Sequence, residues 1–195
     1  MNSIRMKLVN MAFLILTFIF SVILATMFQK ENLLKTLEPK IQVDTVYVSK
    51  NGSKGVFAFM RHMSMVESDN NHRVVNRFGM MGKYQFSPRT LQGLGFNVSK
   101  EQFLADPELQ DEAMIKLIQN NKRELRSIIR QFSGKVVNGV YVTESGIIAG
   151  AHLVGTGGVL AFFYPEKYGH NTADGNGTPV SLYMKKFAGY NLKNI

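Results

Sequence analysis

The chain has no cysteine among its 195 residues. That excludes disulfides, thiolate metal sites, thiol redox chemistry and anchoring through a lipid-modified cysteine. His62, His72 and His170 do not stand at metal-ligand spacing, so no metal is expected. No internal repeat is present. Acidic residues are few, 14 against 23 basic ones, which leaves a formal charge of +9. The excess is divided almost evenly between residues 1–54 and 55–195 and is not gathered into blocks. A domain without cross-links must rest on its hydrophobic core, and the roughly 140 residues after position 54 are enough to build one.

One long apolar run stands out. Leu8 to Phe28 carries no charged residue, and it reaches the roughly 20 residues that an α-helix needs to cross a bilayer. Arg5 and Lys7 precede it, so the positive-inside rule places the short N-terminus in the cytoplasm and the remainder outside. The rival reading is a cleaved signal peptide. Its apolar region would be shorter, and Ile23 interrupts the small-residue pattern that would place a cut after Ala25. The expected organisation is a tip and membrane anchor over 1–28, a tether over 29–54 and a globular domain over 55–195. Fully extended, the tether would reach at most about 85 Å. An exported domain rarely meets nucleic acid, so the positive charge points to an anionic membrane or wall surface.

The domain reads as mainly helical. Ser87-Pro88 starts a short helix that Gly95 ends. Ser99 and Gln102 form a capping box, with Val98 and Phe103 as its hydrophobic staple. Asp106-Pro107 opens a longer helix that weakens near Asn120 and Asn121 into a second one. Asn138-Gly139, between two β-branched runs, predicts a hairpin over 135–143. Thr143 caps a helix dense in small residues that Gly155 to Gly158 interrupts. A polar loop over 171–179 precedes a last helix over 180–187.

Val56, Met60 and Met63 recur at helical spacing, and Glu67 falls on the same face. A glutamate ending a helix usually faces solvent. On the core side it would lose hydration, which favours the neutral form that a general acid must hold.

The residues that follow Glu67 favour the second reading. They run E-S-x(2)-N and then G-x-x-G-x-x-Q-x-x-P-x-T, with Glu67, Ser68, Asn71, Gly79, Gly82, Gln85, Pro88 and Thr90 at the fixed positions. This resembles the catalytic segment of soluble lytic transglycosylases and goose-type lysozymes. Two further stretches follow in the family's order: AHLVGTGGV at 151–159 is similar to its A-Y-N-A-G-P-G-x-V, and LYMKKF at 182–187 to its closing helix. The resemblance covers about 55–190. It implies a lysozyme-like α+β fold and cleavage of peptidoglycan beside N-acetylmuramic acid, without cofactor or metal. Glu67 would protonate the leaving oxygen, then act as base on the muramyl 6-hydroxyl to close an anhydro ring.

The resemblance also implies substrate contacts at Ser68, Asn76, Tyr84, Gln85 and Tyr183. Asn76 stands where many members have serine and could bond the carboxylate. Tyr84 replaces a common methionine, to stack on a sugar or to fill the core. His152 and Leu153 replace the family's tyrosine and asparagine, and His152 reads as a packed helix residue without a proton-transfer role. A hydrolase needs a second carboxylate or a held water. Asp69, Glu144 and Glu166 do not qualify, and only Asp174, in a loop that could reach the cleft, stays a candidate. A transglycosylase is therefore expected ahead of a muramidase or a non-cutting glycan-binding module. Its partners would be glycan strands, the membrane and an envelope-spanning secretion or phage apparatus.

Overall fold

The structure, a computed structural model, describes Gln29, residues 54–193 and Ile195. The expected anchor over 8–28 and nearly all of the tether lie outside the described residues.

The described domain is mainly helical with one small antiparallel pair. Helix α1, Val56–Ser68, buries Phe59, Met60, Met63 and Ser64, the face predicted from spacing. Helix α2, Pro88–Gly93, starts at Ser87, whose hydroxyl accepts from the Thr90 amide. Helix α3, Lys100–Ala105, carries the complete Ser99–Gln102 capping box. Asp106 accepts from the amides of Glu108 and Leu109 and opens α4, Pro107–Glu124. The chain turns at Leu125 into α5, Arg126–Phe132, slightly later than the two asparagines suggest. Strands β1, Val136–Val137, and β2, Val140–Tyr141, pair with Val136 opposite Tyr141. Both turn residues, Asn138 and Gly139, have positive φ, as the tightest hairpin turn requires.

Thr143 caps α6, Glu144–Phe163, which kinks at Gly155 with φ 72° and ψ 172°. Only glycine adopts that backbone readily. Among the described residues, α6 alone is long and apolar enough to cross a membrane, yet 56% of its apolar stretch is buried inside the domain. Its composition is accounted for by core packing. A short helix, α7 (Pro165–Tyr168), follows. The last helix is α8, Val180–Lys186.

Two clusters make the core. One gathers Phe59, Met63, Phe86, Phe103, Met114, Ile118 and Phe187. The other gathers Leu125, Ile128, Val140, Val142, Ile147 and Val159. Helices α6 and α8 join them: Ile148 and Tyr183 belong to the first, Ala151 and Met184 to the second.

The small residues of α6 explain how close α8 comes. A Cβ on Gly146 would lie 2.6 Å from the Met184 carbonyl oxygen, and one on Gly150 would lie 2.7 Å from Val180. Buried Ser145 donates to the Phe187 carbonyl at 2.7 Å and accepts from the Tyr190 amide at 3.1 Å, which ties down the end of α8. The Asn191 amide donates to the Lys54 carbonyl and brings the two ends of the domain together.

Candidate active site

Glu67 lies in the last turn of α1. That helix ends at Asp69 in the left-handed conformation, and the amides of Asp69 and Asn70 close back onto Met65 and Ser64. Asn70, with φ 61°, continues the left-handed turn. Two successive non-glycine residues in this region are uncommon and mark a sharply built corner. Ser68 pins the corner to the next segment, its hydroxyl donating to the Lys83 carbonyl at 3.0 Å and accepting from the Asn71 amide at 3.1 Å.

The segment after the corner folds back on itself twice. Asn76 Oδ1 accepts from the amides of Phe78, at 2.8 Å, and Met80, at 3.0 Å, and closes the first loop. Met81 and Phe86 exchange both backbone bonds at 2.8 Å around the second. Gly82, at φ 73°, and Gln85, at φ 52°, make that turn possible, and the Gln85 side-chain amide donates to the Gly82 carbonyl at 2.8 Å. Backbone strain of this kind clusters at working sites.

Gln110 on α4 ties the second loop to the segment that follows the corner and to α3. Fully buried, it accepts from the Lys83 amide at 2.8 Å and donates to the carbonyls of His72, at 2.9 Å, and Phe103, at 2.7 Å. Gly82 has no room for a side chain there, since a Cβ would lie 2.4 Å from Gln110 Oε1.

Helices α6 and α8 deliver the partners of Glu67. The Tyr183 hydroxyl donates to Glu67 Oε1 at 2.6 Å. His152 Nε2 stands 3.9 Å from the same oxygen, with side-chain exposures of 7% for His152 and 15% for Glu67. Burial first, then the Glu67 charge, drives the Tyr183 phenol well above its ordinary range, with a smaller push from Asp174. Among the described residues, no group hydrogen-bonds Glu67 Oε2. Among these residues the carboxylate is thus held through Oε1.

The loop before α8 reaches the same region. Asp174 Oδ1 accepts from the amides of Asn176, at 2.9 Å, and Thr178, at 2.7 Å. Partial burial pushes the Asp174 carboxyl up, but these hydrogen bonds outweigh it and hold it below the usual range. Arg77 donates to Asn176 Oδ1 at 2.7 Å and links this loop to the first. A depression of about 420 Å³ lies beside the site, lined by Val75, Gly79, Met81, Leu91, Phe96 and Lys100 among others. Glu67 is not part of its wall.

Of the residues singled out in the sequence, Glu67 and Tyr183 are brought into contact. Ser68, Asn76 and Gln85 lie on the flanking corner and loops, with the bonds just described engaging the Ser68 hydroxyl, the Asn76 oxygen and the Gln85 amide nitrogen. Asn76 therefore shapes its own loop, and the carboxylate is met by Tyr183. Tyr84 needs correction. Its ring is 3% exposed, edge-on to Phe86, and its hydroxyl donates to Asp111 at 2.5 Å, so it fills the core and cannot stack on a sugar. The other acidic residues stay apart from such a role: Glu144 pairs with Lys122 at 3.0 Å, while Asp69 and Glu166 are exposed.

Two residues escaped the sequence reading. His152 was set aside for want of a carboxylate to orient it, and Glu67, far away in sequence, lies within 3.9 Å. Gln110 carried no local signal at all. No family model, curated protein or solved structure matches this chain.

Proposed function

We propose that the domain is a lytic transglycosylase of lysozyme-like fold, cutting peptidoglycan between N-acetylmuramic acid and N-acetylglucosamine. The observation that carries this reading is Glu67 at the end of α1, its Oε1 accepting from the Tyr183 hydroxyl at 2.6 Å. The motif resemblance supplies the substrate class. Glu67 gives its proton to the glycosidic oxygen as the bond to the muramyl anomeric carbon breaks and positive charge develops there. The resulting carboxylate takes the proton of the muramyl 6-hydroxyl, whose oxygen bonds the anomeric carbon and closes the 1,6-anhydro ring. The proton lost in the first step is regained in the second, so one carboxylate suffices. The expected membrane segment would hold the domain outside the cytoplasm, beside the wall and any apparatus that must pass through it.

A muramidase is the second reading, and Asp174 favours it as an ionised carboxylate whose charge bears on Tyr183. Against it, Asp174 Oδ1 is engaged by two backbone amides that organise its own loop. Digestion of purified peptidoglycan followed by mass spectrometry separates the two. Anhydromuramyl ends are expected. Reducing ends, heavier by one water, would establish the hydrolase, and intact strands would leave only binding.

A further inference from the structure

The mechanism above makes no use of a buried histidine beside its acid. His152 is 7% exposed, with Nε2 3.9 Å from Glu67 Oε1. The ring stands edge-on to Phe86, centroids 6.1 Å apart at 89°. Its other nitrogen, Nδ1, is buried and has no hydrogen-bond partner among the described residues.

That unpartnered atom limits where the proton can sit. A neutral imidazole carries one N–H and one acceptor nitrogen, and the cation carries two N–H groups. A proton on Nδ1 would be a buried donor with nothing to receive it, which folded proteins rarely tolerate. The cation carries the same Nδ1–H and leaves it equally unmet. The arrangement with the lowest penalty is the neutral ring protonated at Nε2, the nitrogen on the Glu67 side.

We propose that His152 is a positioning residue: as the neutral Nε2–H tautomer it is a second donor toward Glu67 Oε1, and together with Tyr183 it confines proton transfer to Oε2. The proposal rests on the reading of Glu67 as the acid. At 3.9 Å the contact is longer than a direct hydrogen bond. Catalytic contacts commonly tighten once substrate is bound, and a bridging water would serve the same purpose. The donor matters most when Glu67 has given up its proton and carries full charge. An interaction that strengthens along the reaction coordinate acts on kcat and leaves KM alone.

Two measurements on the full chain test it. Nitrogen-15 NMR of the imidazoles, with the His152 signals identified by their loss in His152→Phe, should show the ring proton on Nε2 at neutral pH. The Nε2 resonance should move in Glu67→Gln. A proton on Nδ1, or on both nitrogens, overturns the proposal. In peptidoglycan digestion, His152→Phe should lower kcat about 10–100-fold with KM within about twofold, and His152→Gln, which restores an N–H, should recover part of the loss. Wild-type kcat in His152→Phe overturns the proposal while the Glu67 reading stands. A wild-type chain that cuts no glycan overturns both, even with the tautomer as expected.

Discussion

The hydroxyl of Tyr183 and Oε1 of Glu67 meet at 2.6 Å, 116 positions apart in sequence. The phenol is driven above its ordinary range by burial and then by the carboxylate, so it remains a donor at any working pH. Tyr183→Phe keeps the ring packed against Phe187 and removes only the donor. Wall digestion should fall about 10–100-fold, and stability by no more than about 1–3 kcal/mol for the lost bond. Initial rates and a urea melt check both. An unchanged rate would remove Tyr183 from the mechanism.

Glu67→Gln asks for more. Glutamine keeps the shape and still accepts from Tyr183, but it cannot deliver a proton. Digestion should drop by at least about 100–10,000-fold, the usual contribution of a general acid. Thermal stability should hold or rise, because a largely but not fully buried ionisable group is gone. A variant that still clears peptidoglycan refutes the assignment.

The floor beneath the site is a stability question. Gly82→Ala places a Cβ at φ 73°, 2.4 Å from Gln110 Oε1, and should cost about 1–3 kcal/mol through strain. Gln110→Leu orphans the Lys83 amide, the buried Phe103 carbonyl and the part-buried His72 carbonyl, and each buried group left unsatisfied costs about 1–3 kcal/mol. Chemical denaturation of both variants tests this. If Gln110→Leu were neutral, the loops would be held by something other than this amide.

What was legible in the sequence was what is local. The caps at Ser87, Ser99, Asp106 and Thr143 each join a side chain to a backbone amide two or three residues on, so their spacing alone reveals them. The Asn138-Gly139 turn and the break at Gly155 are backbone preferences of single residues. The motif resemblance put Tyr183 at the cleft as a substrate contact, but its bond to Glu67 was not legible, since nothing within either segment points to the other. Gln110, His152 and the burial of Tyr84 depend on how α4 and α6 pass beneath the loops. No spacing rule encodes such long-range packing.

Tyr84 occupies the core, one of the two places its sequence left open, and that place has its own consequence. Its phenol is pushed up by burial and by Asp111, and it donates to a carboxylate that Lys83 also holds at 2.8 Å. Tyr84→Phe should cost about 1.5–3 kcal/mol, the range for a hydrogen bond to a charged group. Digestion kinetics should stay within about twofold of wild type, since no substrate contact is lost. A large rise in KM without loss of stability would return Tyr84 to the cleft.

His62 should give the domain a pH dependence of stability distinct from that of activity. On α1 it packs against Phe187 with ring centroids 4.4 Å apart, and its Nδ1 lies 2.9 Å from the Tyr190 hydroxyl. Burial, and after it the charge of Lys186, lowers its proton affinity below the ordinary value of 6.5. The unfolded chain therefore takes up this proton at a higher pH than the folded one. Between the two values the unfolded state binds more protons, so stability rises with pH. The contribution is complete above 6.5 and is lost as pH falls through that window to the lower folded value. Melting temperatures from about pH 8 to about pH 5 should decline more steeply for wild type than for His62→Gln, which has no imidazole to titrate. Carboxylates add a slope common to both proteins, so the difference between the curves isolates His62. Parallel curves would show that its proton affinity does not change on folding.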